Sequence, residues 1–170
     1  MNKVVWVMGE SAAGKATLIR YASAHPDCEL MRQLGYRGGK IIPVIGDSDR
    51  IKMKDTVLEL LENETEAIIL IKWQAVDSIY GDVLRKLTSE TPGIPREIIL
   101  LSVESDTLYA RVQRKPWWNQ PNLPHSYYTQ ARQDEHVLQI KQHAKELSAL
   151  GFKVSEIDAT DGYKLINGVM

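Results

Sequence analysis

One stretch near the amino terminus decides the fold: Gly9-Glu10-Ser11-Ala12-Ala13-Gly14-Lys15. It has the spacing G-x-x-x-x-G-K, follows an apolar run at residues 4–8 and precedes a helical pattern from Thr17 onward. A strand, a glycine-containing loop and a helix in this order predict a phosphate-binding loop, or P-loop. The glycines permit a tight turn that directs backbone N–H groups inward, and the helix amino terminus adds partial positive charge. Lys15 then supplies a full charge for the β- and γ-phosphates of a nucleotide; the alternative is an ordinary glycine-containing turn.

The motif departs from its usual form at the eighth position. That residue is normally Ser or Thr, whose hydroxyl is a ligand of Mg²⁺, and here it is Ala16. Thr17 lies about 100° further around the helix, so its hydroxyl is expected to point elsewhere. In related loops this next position faces the α-phosphate. Two possibilities are open: Mg²⁺ is held by water and acidic groups, or the chain binds nucleotide without strong catalysis. The residues expected to surround the phosphates are Gly9, Ser11, Ala12, Ala13, Gly14, Lys15, Ala16 and Thr17.

Length and composition favour a single domain that spans residues 1–170. The formal net charge is −1, which points to neither nucleic acid nor membrane as a partner. No apolar run approaches the length of about 18 residues that a transmembrane helix needs. The chain opens on a predicted strand rather than a signal peptide, and its single cysteine, Cys28, excludes an internal disulfide. A reducing, cytoplasmic location is therefore expected.

Five apolar runs separated by helical patterns predict the architecture. The runs are continuous rather than alternating, which is typical of parallel strands that are buried on both faces. Strands and helices in alternation predict an α/β fold, a five-stranded parallel sheet with helices on both faces, whose ligands bind at the carboxyl ends of the strands. The predicted strands are Lys3–Met8, Lys40–Ile45, Glu66–Trp73, Arg96–Val103 and Phe152–Asp158, and the predicted helices are Lys15–Ala24, Ile51–Asn63, Val76–Thr88, Asp106–Lys115 and Ser126–Leu150.

Two carboxylates and an arginine follow the second predicted strand, in Gly46-Asp47-Ser48-Asp49-Arg50. An acceptor is expected to meet the γ-phosphate at this place. A carboxylate such as Asp47 can take a proton from an attacking hydroxyl, and Arg50 can bind a phosphate through two N–H groups. The alternative is that an aspartate caps the helix that begins at Ile51 and that Arg50 is only solvated.

The third predicted strand ends on a lysine. Many P-loop proteins carry an acidic metal-holding residue near this position, whereas this chain has Lys72, with Asp77 only later. Lys72 is expected either to contact a substrate phosphate or to extend from the strand end into solvent. Asp77 is expected to cap a helix.

A pair of arginines leads from the fourth strand into a proline-rich loop. Arg111 and Arg114 are three residues apart, which places both on one face of the predicted helix. The loop at 116–124 contains three prolines and cannot be helical. Arginines that lead into such a loop are typical of a lid, at about residues 111–128, that closes over ATP and excludes water. The alternative is an amphipathic helix with a solvated basic face.

With these features, the chain resembles the P-loop kinase group over most of its length. The resemblance rests on the P-loop, on the two arginines of the Leu108–Arg114 stretch, and on the ending Ile157-Asp158-Ala159-Thr160 of the fifth strand. It implies the P-loop NTPase/kinase fold with a lid, the use of ATP and Mg²⁺, and phosphotransferase activity. Lys15 would hold the β- and γ-phosphates, and Arg114, with Arg111, would supply the lid arginines.

Within that group, Asp47-Ser48-Asp49-Arg50 is similar to the D-x-x-R motif of polynucleotide 5′-hydroxyl kinases. This likeness implies that Asp47 is the base that activates the hydroxyl and that Arg50 contacts a substrate phosphate. The chain also resembles phage-type kinases that phosphorylate 5-hydroxymethyluracil in DNA, an activity that requires an extruded base and aromatic stacking surfaces. The aromatic residues that could serve are Trp73, Trp117, Trp118, Tyr127 and Tyr128.

Local charge gives some support to an anionic acceptor. Six basic residues and two acidic residues lie between Met31 and Lys54, a surplus that suits a phosphodiester backbone. A solvated basic surface is the alternative. Three functions are open: a kinase acting on a hydroxyl of a nucleotide or nucleic acid, a small-molecule kinase of nucleoside monophosphate or sugar type, and a nucleotide-binding regulatory protein with little turnover. Ala16 is the main support for the last.

Overall fold

The computed structural model describes residues 1–36, 39–45, 50–73, 89–116, 118 and 128–166, without the side chains of Arg50 and Ile51. In these ranges the strands are β1 (Lys3–Met8), β2 (Lys40–Val44), β3 (Ala67–Trp73), β4 (Arg96–Ser102), β5 (Lys153–Asp158) and β6 (Lys164–Leu165). The helices are α1 (Lys15–Ala24), α2 (Glu29–Gln33), α3 (Arg50–Asn63), α4 (Ser105–Val112) and α5 (Gln130–Ala149).

The described strands form one sheet in the order β2-β3-β1-β4-β5-β6. β1 is central and pairs in parallel with β3 and β4, and the outer pairs β2–β3 and β4–β5 are parallel as well. The predicted parallel sheet is therefore confirmed, but its strand count of five is corrected to six. The added strand, β6, runs antiparallel to β5 after a turn that contains Gly162 at φ 77°. Its two residues are too short a run for a hydrophobic pattern to indicate a strand.

Helices cover both faces of the sheet and create two apolar cores. On one face, Leu18 and Ile19 of α1 pack with Val7 of β1. On the other face, Val57 of α3 and Ile140 of α5 belong to the core that contains Val4, Trp6 and Met8 of β1. Successive side chains of a strand point to opposite faces, so β1 contributes to both cores. We call these surfaces of the sheet the α1 face and the α3 face.

The predicted helices agree with the structure except at some ends. α1 has the predicted bounds, whereas α4 ends at Val112 rather than at Lys115. α5 begins at Gln130 rather than at Ser126, because the Thr129 hydroxyl accepts the Arg132 N–H and caps the helix there. The five-residue helix α2 was not predicted, and the predicted helix at 76–88 lies outside the described residues. None of the described helices combines the length and apolar character that crossing a bilayer requires.

Candidate active site

The loop between β1 and α1 turns sharply enough to surround a phosphate. Ala12 and Gly14 both have left-handed backbone, with φ of 68° and 99°. The Ala13 N–H donates to the Glu10 carbonyl oxygen at 3.0 Å, which closes the turn. Left-handed residues within a turn direct neighbouring N–H groups toward one side and form an anion-binding concavity. The backbone of this loop therefore has the tight turn that the motif predicts, and phosphate binding by it stays a prediction.

Helix α1 begins without a cap. Its N-cap residue, Gly14, makes no side-chain hydrogen bond, and the first turn contains no acidic residue. By contrast, α4 and α5 are capped by the side chains of Glu104 and Thr129. The first N–H groups of a helix have no acceptor within it, and an anion is their natural partner when no side chain takes that place. In α1 these groups belong to residues 15–17, at the mouth of the loop.

The P-loop lysine is buried beneath its own loop. Lys15 is 4% exposed, and its ammonium donates to the carbonyl oxygens of Gly9 at 2.6 Å and Glu10 at 3.1 Å. An ammonium carries three N–H bonds, so one donor remains for a phosphate. Burial lowers the pKa of Lys15 to about 8, from an ordinary value of 10.5. The positive charges of Lys72 and Lys115 lower this pKa further, while the Glu10 carboxylate raises it.

A carboxylate within the loop connects it to helix α5. Glu10 Oε1 accepts the Ser11 backbone N–H at 2.7 Å, and Glu10 Oε2 lies 2.9 Å from Nδ1 of His136. The Ser11 N–H, expected to face a phosphate, is therefore occupied by Glu10. Sequence reasoning missed both Glu10 and His136, because the motif leaves the second position unspecified and a lone histidine on a helix carries no signal. The contact holds the amino-terminal half of α5 against the P-loop.

An open cavity of about 470 Å³ lies between the P-loop, the end of α4 and the loop after β5. Its volume is in the range of small-molecule binding sites. The residues that line it are Ala12, Ala13, Gly14, Thr17, Arg111, Arg114, Lys115, Ala159, Gly162 and Tyr163. Four of the eight predicted phosphate residues and both predicted lid arginines therefore line one cavity. The loop after β5 reaches the same cavity through Ala159, Gly162 and Tyr163.

The two predicted lid arginines line this cavity in different ways. Arg111 donates to the carbonyl oxygens of Ala159 and Thr160, both at 2.9 Å, and so fastens α4 to the loop after β5. Arg114 lies beyond the end of α4 and is exposed. The prediction that both arginines share a face of one helix is wrong, because the helix stops at Val112. Arg114 is the one whose guanidinium stays in solvent at the cavity rim.

Tyr163 is a further cavity residue that sequence reasoning did not identify. Its hydroxyl donates to the Gly14 carbonyl oxygen at 3.1 Å, which joins the chain after β5 to the start of α1. Burial raises the pKa of this hydroxyl, so it remains a donor across the neutral range. A Cβ atom at Gly14 would lie 2.9 Å from the Tyr163 hydroxyl oxygen, so a larger residue there would displace this ring as well as strain the backbone at φ 99°.

Several predicted acceptor and lid residues lie outside the described part of the chain. These are Asp47, Asp77, Trp117, Tyr127 and most of the lid at 111–128. Arg50 is the first residue of α3, but its side chain is not described. The roles assigned to Asp47 as base and to Arg50 as a phosphate contact therefore stay predictions.

The predicted basic surplus does not form one surface. Lys40 begins β2, at the end of the parallel strands opposite the P-loop, so it does not lie on the acceptor side. Three of the six basic side chains instead make ion pairs nearby: Lys40 with Glu64 at 3.4 Å, Arg32 with Glu29 at 2.6 Å, and Lys54 with Glu90 at 3.1 Å. The prediction that Lys40 adds positive charge near the acceptor is therefore wrong, and the support for a phosphodiester acceptor is weaker by that residue.

Trp73 is not available to stack on a base. It is 1% exposed and packs edge to face against Trp6, with ring centroids 4.9 Å apart, inside the α3-face core. Trp118 is half-buried against Tyr109, with centroids 5.3 Å apart. Tyr128 is also half-buried, and its ring lies 6.1 Å from that of His136. Of the aromatic residues proposed for stacking, these last two are the described candidates.

The described residues do not supply the usual ligands of Mg²⁺. Ala16 presents a methyl group where a hydroxyl is usual, and Lys72 presents an ammonium where a carboxylate is usual. Within the described ranges, no three His, Cys, Asp or Glu side chains are grouped so that they could hold a metal ion. A nucleotide fits the loop and the cavity, whereas a directly ligated metal does not fit these residues.

Comparisons with known proteins support the fold. No family model and no curated protein matches the sequence. A chain from a study of the PezAT chromosomal toxin–antitoxin system of Streptococcus pneumoniae is 17% identical with a TM-score of 0.56, and the match covers 93% of this chain and 69% of that one.

Two solved kinases are also similar. A gluconokinase from Sinorhizobium meliloti is 16% identical with a TM-score of 0.40, over 87% of this chain and 97% of that one. A shikimate kinase from Bacteroides thetaiotaomicron is 14% identical with a TM-score of 0.46, over 92% and 86%. Because both TM-scores are below 0.5, the support for the fold comes from the first match. The chain has an α/β fold with a mostly parallel sheet flanked by helices.

Proposed function

We propose that this protein is an ATP-dependent phosphotransferase, a kinase that transfers the γ-phosphate to a hydroxyl group. One observation carries the proposal: the uncapped start of α1, the buried Lys15 and a cavity lined by three cationic side chains meet at one place. Each of these features favours an anion, and together they favour a chain of phosphates with a nucleoside at one end.

The reaction is an in-line displacement. The acceptor oxygen attacks the γ-phosphorus, the bond from that phosphorus to the β–γ bridging oxygen breaks, and ADP leaves. In this proposal, Asp47 takes the hydroxyl proton and Arg50 contacts a phosphate of the acceptor. Lys15 and Arg114 neutralise the charge that develops on the phosphoryl oxygens, and Arg111 positions the loop after β5.

The acceptor is proposed in two classes. The D-x-x-R motif favours a nucleic-acid hydroxyl, either 5-hydroxymethyluracil in DNA or a polynucleotide 5′-hydroxyl. A small-molecule acceptor, of nucleoside monophosphate or sugar type, is favoured by the place of Lys40 at the far end of the sheet and by the burial of Trp73. Both observations weaken the case for a long anionic acceptor. Neither bears on phosphoryl transfer itself.

A turnover assay separates these possibilities. Labelled ATP is incubated with hydroxymethylated DNA, a 5′-hydroxyl oligonucleotide, nucleosides, nucleoside monophosphates and sugars, and transfer of label is measured. Label in a nucleic acid alone supports the first acceptor class, and label in a small molecule alone contradicts it. A third result is that the protein binds ATP but transfers label to no acceptor and releases no more label than the Lys15→Ala control. That result would favour a nucleotide-binding regulatory protein.

The predicted base has its own test. Asp47→Asn keeps the size of the side chain but removes the group that accepts the proton. If Asp47 is the general base for a hydroxyl acceptor, kcat is expected to fall by roughly 10²–10⁴ while ATP affinity changes little. A phosphate acceptor needs no base, so an unchanged kcat would indicate that class of acceptor.

A further inference from the structure

On the α1 face of the sheet, the last side chain of strand β3 is a lysine, Lys72. Ile68 and Leu70 contribute to the α1-face core, and alternation along a strand puts Lys72 next in the same row. Lys72 pairs with Val7 of β1, two residues before the first glycine of the P-loop. Because paired residues of parallel strands share a face, the Lys72 side chain extends on the side of the sheet where α1 begins.

Lys72 therefore adds to a concentration of positive charge around the P-loop. Its charge and that of Lys115 both act on the ammonium of Lys15, which is itself buried. Arg114 lines the cavity beside Lys115, and Glu10 is the acidic group that acts on Lys15 in the opposite sense. Lys72 thus lies on the P-loop side of the sheet, where its positive charge favours an anion bound at this loop.

The position of Lys72 also bears on the metal. In P-loop enzymes, a hydroxyl after the motif lysine and an acidic residue near the end of the third strand hold the Mg²⁺ that neutralises the phosphates. Here the first position is Ala16, which cannot ligate, and the second region offers Lys72, which repels a divalent cation. One change removes a ligand, and the other replaces a metal ligand with a cation.

We propose that Lys72 binds the phosphates of the nucleotide and supplies part of the charge neutralisation that a bound metal supplies elsewhere. ATP is then expected to bind with similar affinity in the presence and absence of Mg²⁺. This inference rests on the proposed function only as far as nucleotide binding. The metal requirement of phosphoryl transfer is a separate quantity, and the turnover assay measures it.

Calorimetric binding of a non-hydrolysable ATP analogue, with β,γ-imido linkage, tests the proposal in buffers with Mg²⁺ and with EDTA. The affinity of the unmodified protein is expected to differ by less than about fivefold between the buffers. Lys72→Met is expected to lower the affinity in EDTA by about 10–100-fold, as the loss of a charged hydrogen bond does. Lys72→Arg, which keeps the charge, is expected to retain most of the affinity.

Two further variants sharpen the result. Lys145→Met removes an exposed lysine from the half of α5 distant from the loop, and its affinity is expected to be unchanged. The double variant Ala16→Ser with Lys72→Asp restores both metal-binding groups and is expected to bind the analogue tightly only with Mg²⁺. Thermal unfolding completes the set: Lys72→Met is expected to melt no lower than the unmodified protein, because it relieves repulsion with Lys15.

The results that would contradict phosphate binding by Lys72 differ from those that would contradict the proposed phosphotransferase activity. A loss of affinity of 100-fold or more by the unmodified protein in EDTA contradicts the former. So does Lys72→Met protein that binds the analogue in EDTA as tightly as the unmodified protein. If that variant also melts at a lower temperature, Lys72 is a structural ion-pair residue. Neither result removes the phosphotransferase activity. Conversely, ATP that binds through Lys72 without transfer to any acceptor leaves this inference standing and contradicts the proposed function.

Discussion

Ala12 has φ of 68°, a left-handed conformation that a residue with a Cβ atom adopts at a cost of roughly 1–2 kcal/mol. The conformation helps to direct the N–H groups of the loop, so the strain is located at the candidate site. Lys15 shows a second cost at the same place, because its burial disfavours the charge that a phosphate needs. Ala12 and Lys15 thus each lower the stability of the folded chain at this loop.

The strain at Ala12 predicts the effect of its removal. In Ala12→Gly, the relief of strain exceeds the entropy that glycine adds to the unfolded chain, and the free energy of unfolding is expected to rise by up to about 1 kcal/mol. Chemical denaturation measures it. Ala16→Gly, within α1, is the matched control and is expected to lower stability, since Ala16 is helical. Equal losses in both variants would contradict the strain at Ala12.

The lowered pKa of Lys15 predicts how ATP affinity depends on pH. Below about pH 8 the ammonium is charged and affinity is expected to be constant; above it the free protein loses the proton, so affinity falls and binding takes up protons. Calorimetry in two buffers of different ionisation enthalpy measures that uptake. Lys15→Arg, which stays charged, is expected to show no decline between pH 8 and 10.

The same pKa predicts the opposite trend for stability. Between the folded pKa of about 8 and the unfolded value of 10.5, the unfolded chain holds a proton that the folded protein has lost. The contribution of Lys15 to the free energy of unfolding is therefore expected to rise with pH in this window, by up to about 3 kcal/mol. Denaturation of the protein and of Lys15→Met across the window measures the difference, which should shrink as pH rises.

At the scale of elements, α3 and β3 are joined by a side chain from the residue before β1. Asn2 is 6% exposed and donates through Nδ2 to the carbonyl oxygens of Leu61 at 3.3 Å and Glu64 at 2.7 Å. Its Oδ1 accepts the Ala67 N–H at 2.9 Å. One amide thereby satisfies the last carbonyls of a helix and the first N–H of the following strand.

Loss of this amide is expected to be costly for stability and neutral for the site. Asn2→Ala leaves buried carbonyl and N–H groups without partners, and the free energy of unfolding is expected to fall by about 2–4 kcal/mol. Asn63→Ala, at the exposed end of α3, is the control, with an expected change below about 0.5 kcal/mol. ATP affinity of the folded Asn2→Ala protein should be unchanged, because Asn2 lies at the end of the sheet opposite the P-loop.

At the scale of the whole molecule, a buried carboxylate joins three central strands at that opposite end. Glu97 of β4 lies 2.6 Å from Lys3 of β1 and 3.2 Å from Lys153 of β5. Its side chain is 6% exposed, whereas those of the two lysines are 28% and 56% exposed. The carboxylate is thus buried with both countercharges reaching solvent, so its removal leaves two lysines that water can still solvate.

Glu97→Gln is expected to lower the free energy of unfolding by roughly 1–3 kcal/mol, less than for a fully buried pair because the lysines are partly hydrated. Glu66→Gln tests an exposed pair, with the amino terminus at 2.7 Å, and is expected to change stability by less than about 0.5 kcal/mol. Denaturant titrations of both variants, in low and high salt, make the comparison. If both variants lose a similarly small free energy of unfolding, the buried ion pairs of Glu97 stabilise the protein no more than the exposed pair of Glu66.

The sequence by itself determined most of the described elements of this protein and the tight loop between β1 and α1. The spacing of Gly9, Gly14 and Lys15 and the continuous apolar runs are local signals, and local backbone preferences and burial are enough to turn them into a strand, a loop and a helix. The bounds of α1 and the parallel sheet follow from such signals. They needed no knowledge of which distant residues meet.

Only the tertiary structure decided which side chains reach the site. The contact of Tyr163 with Gly14 joins residues 149 positions apart, and Arg111 meets the loop after β5 across 48 positions. Packing of α3 against the sheet and of Trp6 against Trp73 put Trp73 inside the core, against expectation. Such placements depend on strand order and register, which arise from packing of the whole chain and leave no periodic trace in any one segment.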